Sequence, residues 1–346
     1  MQSVVVNELF YILRLHRLSV RYALIGLLTV GLQSFISAQT IPPGCAPGCV
    51  LITIKRLPKG TIPPPQPQGL PTPSFSPQNG VVPYGNKVNV TAASLPTGAI
   101  VEYSTNNGQS WITGNQTTSI LNSTDILART RLNQQVSPTI RGNFKPSFQR
   151  MMVIGNSIMA HGPAPEVGWN LFNGMAASAP EKDFVHLLEA HLKTLNPEAK
   201  TELQTGGDFE RSFGTDGYTI NQFNKPVQEF QPDLIIVRIG ENIDDGQVNG
   251  SRDLEANFSQ LLDRLASLNP SQPVKIICTT TVWDRPNTDA IIRKVTNAKG
   301  YPLVDLRSMV GQSQYFASEY KDPNVAAHPN DAGMKRIADL IIEKLQ

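Results

Sequence analysis

From residue 148 to the end of the chain, apolar positions alternate between two periods. The windows 181–195 and 254–268 place Phe184, Leu187, Leu188, Leu192 and Leu195, then Phe258, Leu261, Leu262 and Leu265, on one face at spacings of three and four. That period predicts amphipathic helices. Between and around these windows lie short, largely apolar runs at 151–154, 234–239, 274–281 and 303–306. Such runs predict strands buried on both faces. Strand alternating with helix predicts a parallel sheet with right-handed crossovers and helices on both sides, a three-layer α/β/α domain over residues 148–346. A closing helix over 331–345 takes Asn330 as its cap and Met334, Ile337, Ile341 and Leu345 as its apolar stripe.

Residues 73–146 follow a different rule. Short segments of alternating polarity, such as 87–91 and 99–103, are separated by turn residues, and Asn106, Asn107 and Gly108 stand between two of them as a hairpin signal. A small antiparallel β-sandwich is expected here. The span from 73–77 through 103–108 resembles the small β modules appended to chitobiase and β-hexosaminidase enzymes, which implies an accessory domain beside a carbohydrate-active unit. Tyr103 and Trp111 are an aromatic pair with two readings, sugar stacking or core packing.

Residues 40–72 are rich in proline, with Pro63, Pro64, Pro65 and Pro67 at their centre, and read as an extended linker. The run 50–54 is a strand candidate within it. Residues 1–39 read as an export signal: Arg14, Arg17 and Arg21 precede an apolar run at 23–35, and Ile36, Ser37 and Ala38 form a small-residue cleavage site. The expected location is secreted, periplasmic or cell-surface, with no stable membrane insertion once the signal is removed. An uncleaved anchor is the alternative. In that oxidising setting Cys45 and Cys49 are close enough for a small disulfide loop, whereas Cys278 lies in an apolar strand and reads as a buried thiol.

Composition narrows the function. Charged residues make up 17% of the chain and the formal net charge is +2, so nothing favours nucleic acid or another polyanion as a partner. His161, His186, His191 and His328, the histidines beyond the signal, do not pair at ligand spacing with one another or with cysteine, so neither metal nor cofactor is expected.

Three stretches carry candidate chemistry. Ser157 follows the strand at 151–154 after Gly155, so it is presented at the carboxyl edge of the sheet, where open α/β sheets collect ligands. Asn242 follows the strand at 234–239 in the triplet Gly240, Glu241, Asn242, at the same edge, where an amide can donate to an oxygen that becomes negative. His328 precedes the closing helix on a loop restricted by Pro329, which suits a general base held in place. Taken singly, each has an ordinary alternative, namely a helix-capping serine, a turn asparagine and a polar surface histidine.

Together these stretches resemble the SGNH, or GDSL-like, hydrolase family. Gly155, Asn156, Ser157 and Ile158 match its nucleophile block with Asn in place of the usual Asp. Gly240, Glu241 and Asn242 match its Gly-x-Asn block, and His328, Pro329, Asn330, Ala332 and Gly333 its base block. The resemblance implies a flavodoxin-like fold and a serine esterase. In that reading Ser157 attacks an acyl carbon, His328 takes its proton, and the oxyanion is held by the Ser157 N–H, the Gly207 N–H and the Asn242 amide.

Two departures qualify the match. The position three residues before His328, an Asp in the family, is Val325, which leaves Asp322 as the orienting acid or a backbone carbonyl in its place. After the strand ending near Leu203, the sequence Gly206, Gly207, Asp208 does not follow the family's Asn-x-x-Gly pattern. Trp169, Asn170 and Asn173, on the segment 163–179, are candidate substrate contacts. The expected substrate is a carbohydrate ester or other small acyl ester, acetyl above all. A lipid- or thioester-directed hydrolase and a catalytically silent surface-binding protein are the alternatives.

Overall fold

The computed structural model describes residues 69–346 except Asn249 and Ser251, together with three short strands nearer the amino terminus, β1 (Phe10–Ile12), β2 (Ile36–Ala38) and β3 (Leu51–Ile54). These three pair antiparallel in the order β1-β3-β2 within a separate unit, Met1–Gln68. β3 occupies the strand candidate at 50–54. The apolar run of the export signal, the prolines at 63–67 and the Cys45–Cys49 pair lie outside the described residues. Among the described residues, no helix is long and apolar enough to cross a membrane.

The second unit, Gly69–Gln346, begins with β strands. β4 (Ser74–Ser76) and β6 (Asn89–Thr91) form a two-stranded antiparallel sheet. β5 (Gly80–Pro83), β7 (Ile100–Ser104), β8 (Ile112–Thr113), β9 (Thr124–Leu132) and β11 (Ile140–Ser147) form a larger one in the order β5-β11-β9-β7-β8, with β10 (Gln135–Val136) paired to β9. Alternate residues of β9 and β11 point inward, so Ile126, Ala128 and Phe144 share a core with Phe75, Val88, Val90 and Tyr103. Phe75 from the small sheet meets Phe144 from the large one edge to face, ring centroids 5.4 Å apart.

The hairpin signal is realised. β7 and β8 pair antiparallel, and Asn107 and Gly108 between them both take positive φ, at 55° and 84°. One strand departs from the antiparallel expectation: β5 runs parallel to β11. Their connection is the whole of the intervening meander rather than a hairpin, and a parallel pair requires such a long return path. Tyr103 is buried, and the Arg129 guanidinium covers the Trp111 ring 3.9 Å from its centre, so these two aromatics do not form an open stacking platform.

The rest of the unit is a parallel sheet between helices. Its strands are β12 (Arg150–Gly155), β13 (Lys200–Thr205), β14 (Leu234–Arg238), β15 (Lys275–Thr279) and β16 (Leu303–Val304), all parallel in the order β13-β12-β14-β15-β16. Successive residues of β12 point to opposite faces. Met151 and Val153 pack toward α1 (Phe184–Leu195) and the closing helix, and Met152 and Ile154 pack toward the helices of the other face. That second face carries α2 (Gly207–Ser212), α3 (Asn224–Phe230), α4 (Leu254–Ser267) and α5 (Pro286–Lys299).

Two short elements complete the chain, α6 (Pro323–Ala326) and α7 (Asp331–Ile342). Helices of this length are marginal alone, so their stability comes from the buried stripes, Phe184, Leu188 and Leu192 in α1 and Phe258, Leu261, Leu262 and Leu265 in α4. Caps sharpen the ends: Asp183, Asp253 and Asn330 accept from the backbone N–H of His186, Ala256 and Gly333, each cap contributing about 1 kcal/mol. Cys278 is buried in β15 as a free thiol, as its apolar strand predicts.

The sandwich sits at the amino ends of the parallel strands. Tyr84 packs on Phe148, and the Lys275 ammonium donates to Asn122 Oδ1 and to the Leu345 carbonyl. Phe148 and Lys275 lie at the entries to β12 and β15, so the sandwich is placed at the opposite end of the sheet from the carboxyl edge that follows Gly155.

Candidate active site

The sheet order decides where chemistry collects. The chain passes from β12 outward to β13, then returns across β12 to build β14, so the connections leaving β12 and β14 diverge and open a crevice at their carboxyl ends. Ser157 lies just past the end of β12, and Asn242 just past β14.

The turn that presents Ser157 is held by its neighbours. The Met159 and Ala160 N–H groups donate to the Asn156 carbonyl at 2.9 and 3.2 Å, and the Ile158 N–H donates to Asn156 Oδ1 at 3.2 Å. Gly155 is required by close approach, since a Cβ there would lie 2.7 Å from Met159 Cβ. From the far side, the Met175 N–H donates to the Ser157 carbonyl and the His161 N–H to the Asn173 carbonyl, both at 2.9 Å. Ser157 is half-buried, and among the described residues its own N–H has no protein acceptor.

His328 reaches it across 171 positions of sequence: Ser157 Oγ and His328 Nε2 are 2.7 Å apart. On the other side of the ring, Nδ1 is 2.6 Å from the Asn324 carbonyl oxygen. A carbonyl can only accept, so Nδ1 carries the proton and Nε2 is left as the acceptor for the serine hydroxyl. The ring is clamped further by the edge of Trp283, whose centroid lies 5.6 Å away at 88° and whose indole N–H donates to the Ala327 carbonyl. Asn330 locks the following turn by donating to the Gln314 and Phe316 carbonyls.

Asp322 is not at the ring. Its Oδ1 accepts the N–H of Asn324 at 2.8 Å and of Val325 at 3.2 Å, the cap of α6. The short helix explains both facts. Asp322 and Pro323 start it, and the Asn324 carbonyl, which a helix of this length leaves without an intrahelical partner, turns to the imidazole. Val325 fills the apolar pocket of Ala164, Trp169, Met175 and Ala317. Of the two groups the sequence offers, the backbone carbonyl therefore meets the ring, and Asp322 is corrected to the cap of α6.

Burial at 4% exposure leads the causes that lower the His328 pKa below the ordinary imidazole value. Arg238 and His161 push the same way, while the Asn324 bond and Glu241 oppose them. With the neutral ring as the base, activity would be present above the folded pKa and lost as pH falls through it. The acid limb of a kcat/KM profile on p-nitrophenyl acetate is therefore expected below about pH 6.5. A limb centred above neutrality would contradict this environment.

Beneath Ser157 lies a buried polar network. The Arg238 guanidinium, fully buried at the end of β14, donates to Glu241 Oε1 at 2.8 Å and to Asn156 Oδ1 at 3.3 Å. The Asn156 amide in turn donates to Glu241 Oε2 at 2.8 Å and Glu210 Oε1 at 3.0 Å. This explains the Asn where the family block has Asp. A carboxylate at 156 would face two others across a single arginine, whereas the amide donates to both.

The remaining sequence candidates fall into two groups. Asn242 is exposed beside this network, its amide donating to Glu210 Oε2 at 2.8 Å. Gly207 opens α2, its N–H 3.3 Å from Thr205 Oγ1, next to Gly206, whose N–H bonds the Gly155 carbonyl at 2.7 Å. Trp169 is 1% exposed and donates to the His161 carbonyl, so it props the loop rather than facing solvent. Asn173 is buried as well, its amide donating to the Gly174 and Ala177 carbonyls. Asn170 alone of that trio is exposed.

Sequence reasoning passed over Phe172, which is 81% exposed beside the strap that holds Ser157 and His161. It also passed over Arg238, which bonds Glu241, and Glu210, which joins them through Asn156. A charged residue inside an otherwise apolar strand was a legible signal, because a buried guanidinium must find partners. The Asn324 carbonyl has no side-chain signature at all. Among the described residues, no cluster of His, Cys, Asp and Glu is arranged to hold a metal ion.

Residues 153–336 match the model of the GDSL-like Lipase/Acylhydrolase family. Among solved structures, the chain is similar to the family 3 carbohydrate esterase of Clostridium thermocellum, at 17% identity over 57% of this chain and 96% of that one, with a TM-score of 0.38. It is also similar to a family two carbohydrate esterase of the same organism, solved with cellohexaose (13% identity, 76% of this chain, 92% of that one, TM-score 0.39). The family two carbohydrate esterase of Cellvibrio japonicus aligns at 14% identity over 80% of this chain and 89% of that one, with a TM-score of 0.36. Among curated proteins, no sequence matches the chain.

Proposed function

The chain belongs to the GDSL-like lipase/acylhydrolase family of ester-hydrolysing enzymes, and from that premise we propose that it is an exported serine esterase removing small acyl groups, acetyl in particular, from carbohydrate. The observation that carries the chemistry is the 2.7 Å contact of Ser157 Oγ with His328 Nε2, together with the 2.6 Å contact that holds the opposite ring nitrogen.

In this mechanism the hydroxyl proton passes to Nε2 as Oγ attacks the acyl carbon. The imidazolium formed is held by the Asn324 carbonyl and then protonates the leaving alcohol. Water then attacks the acyl carbon and gives a proton to Nε2, and as the bond to Oγ breaks and the acid leaves, that proton returns to Oγ, restoring the hydroxyl and the neutral ring. The tetrahedral oxyanion forms beside the Ser157 N–H, the Gly207 N–H and the second amide hydrogen of Asn242, and each well-aimed donor contributes about 3 kcal/mol.

Support for a carbohydrate leaving group comes from the export signal, from the resemblance of residues 73–146 to modules of sugar-cleaving enzymes, and from Phe172, an exposed aromatic on the segment whose Asn173 and Met175 bond the His161 and Ser157 backbone. The test is a chain-length series. The purified protein should hydrolyse p-nitrophenyl acetate faster than the octanoate or palmitate and release acetate from acetylated polysaccharide. Preference for long acyl chains would transfer the assignment to lipid esters.

A further inference from the structure

Glu210 is a fully buried carboxylate that the mechanism above does not use. It is the fourth residue of α2, the short helix that starts directly after β13, and its side chain turns back under the crevice. Both of its oxygens are occupied. Oε1 accepts the Gly240 N–H at 2.6 Å, the Asn156 amide at 3.0 Å and the Asn242 N–H at 3.4 Å, and Oε2 accepts the Asn242 side-chain amide at 2.8 Å.

Those partners come from two different connections, one leaving β12 and one leaving β14, and Glu210 itself comes from a third. One side chain thereby ties the turn that presents Ser157 to the turn that presents Asn242. The need for such a tie is physical. An exposed asparagine amide is free to rotate, and a donor contributes to catalysis only when it is already aimed before charge develops. With one hydrogen of its NH2 group committed to Glu210 Oε2, the amide plane of Asn242 is set and its other hydrogen has a defined direction.

We propose that Glu210 is a positioning residue for ester hydrolysis, which acts by holding the Asn242 amide in register with Ser157. The inference rests on the reading of Asn242 as an oxyanion donor. Burial and the nearby Glu241 push the Glu210 carboxyl above its ordinary pKa, and the bonds from the Gly240 N–H and the Asn242 and Asn156 amides oppose that push.

Glu210→Gln is the informative change. If its carbonyl oxygen keeps the three donors at the Oε1 position, its NH2 group faces the Asn242 NH2, donor against donor, and the amide is released while the fold loses little volume. The experiment is a double-variant cycle on p-nitrophenyl acetate, reading kcat and KM separately. Asn242→Ala alone should lower kcat by about 10²–10³-fold. Glu210→Gln alone should lower kcat by about 10–10²-fold with KM within about twofold, and the double variant should be no worse than Asn242→Ala by more than about threefold.

A double variant whose loss is the product of the two single losses overturns the proposal and leaves Asn242 as a donor. A normal kcat for Asn242→Ala overturns the donor reading itself. If Glu210→Gln fails to fold, Glu210→Asp, which keeps the charge and withdraws it by one methylene, runs the same cycle and is read by the same criterion.

Discussion

Ser157→Ala will reduce the turnover of p-nitrophenyl acetate by about 10⁶-fold, leaving at most the residual acceleration of about 10³–10⁴ that oxyanion donors and binding supply without a nucleophile. The argument is one of chemistry rather than stability. Among the described residues Ser157 Oγ has one side-chain partner, His328 Nε2, and the turn around it is held by main-chain bonds to Asn156 and Met175 that an alanine retains. The melting temperature should therefore move by no more than a few degrees, corresponding to about 1 kcal/mol. Covalent labelling by a fluorophosphonate, followed by mass spectrometry of the peptide containing residue 157, gives the second readout and should vanish with the hydroxyl. Activity within tenfold of the unmodified protein would remove Ser157 from the mechanism.

The second large effect separates a dyad held by the main chain from a triad held by a carboxylate. His328→Ala should lower kcat by about 10⁴–10⁶-fold, because no other described group lies within hydrogen-bond distance of Ser157 Oγ. Asp322→Asn should leave kcat within about threefold. Asparagine is as good an N-cap as aspartate, so α6 and its Asn324 carbonyl stay in place. Were Asp322 the group that holds the ring, the same change would cost about 10⁴-fold. The pair of variants thus reads the hydrogen bond at His328 Nδ1 directly from steady-state rates. A collapse of kcat in Asp322→Asn, with the fold intact, would be the result that contradicts a carbonyl-held imidazole.

How much of this was legible in the chain can be argued from particular elements. The stripes of α1 and α4 and the apolar runs of β12, β14 and β15 place five helices and strands almost where periodicity puts them, since burial on one face or on two leaves a direct trace in the order of residues. α5 escaped, because Thr288, Asp289 and Thr296 occupy buried positions and break its apolar stripe. Trp169 and Asn173, expected as substrate contacts, are the converse case. Trp169 and Asn173 look like loop residues from their neighbours, and only the contacts of the folded strap show them turned inward.

The residue types and chain order of the candidate site, Ser157, Asn242 and His328, are legible in the sequence alone, because each proposed chemistry needs a particular side chain at the end of a strand or the start of a helix. What holds the His328 ring was decided by the tertiary structure. A carbonyl oxygen is present at every residue and distinguishes none, so no pattern of letters marks Asn324 as the partner of an imidazole. Its role arises from the short helix capped by Asp322, which brings the carbonyl and the ring within 2.6 Å. The same holds for Glu210, whose meaning lies in three sheet connections converging on one carboxylate, a relation that exists only after the strands have been ordered.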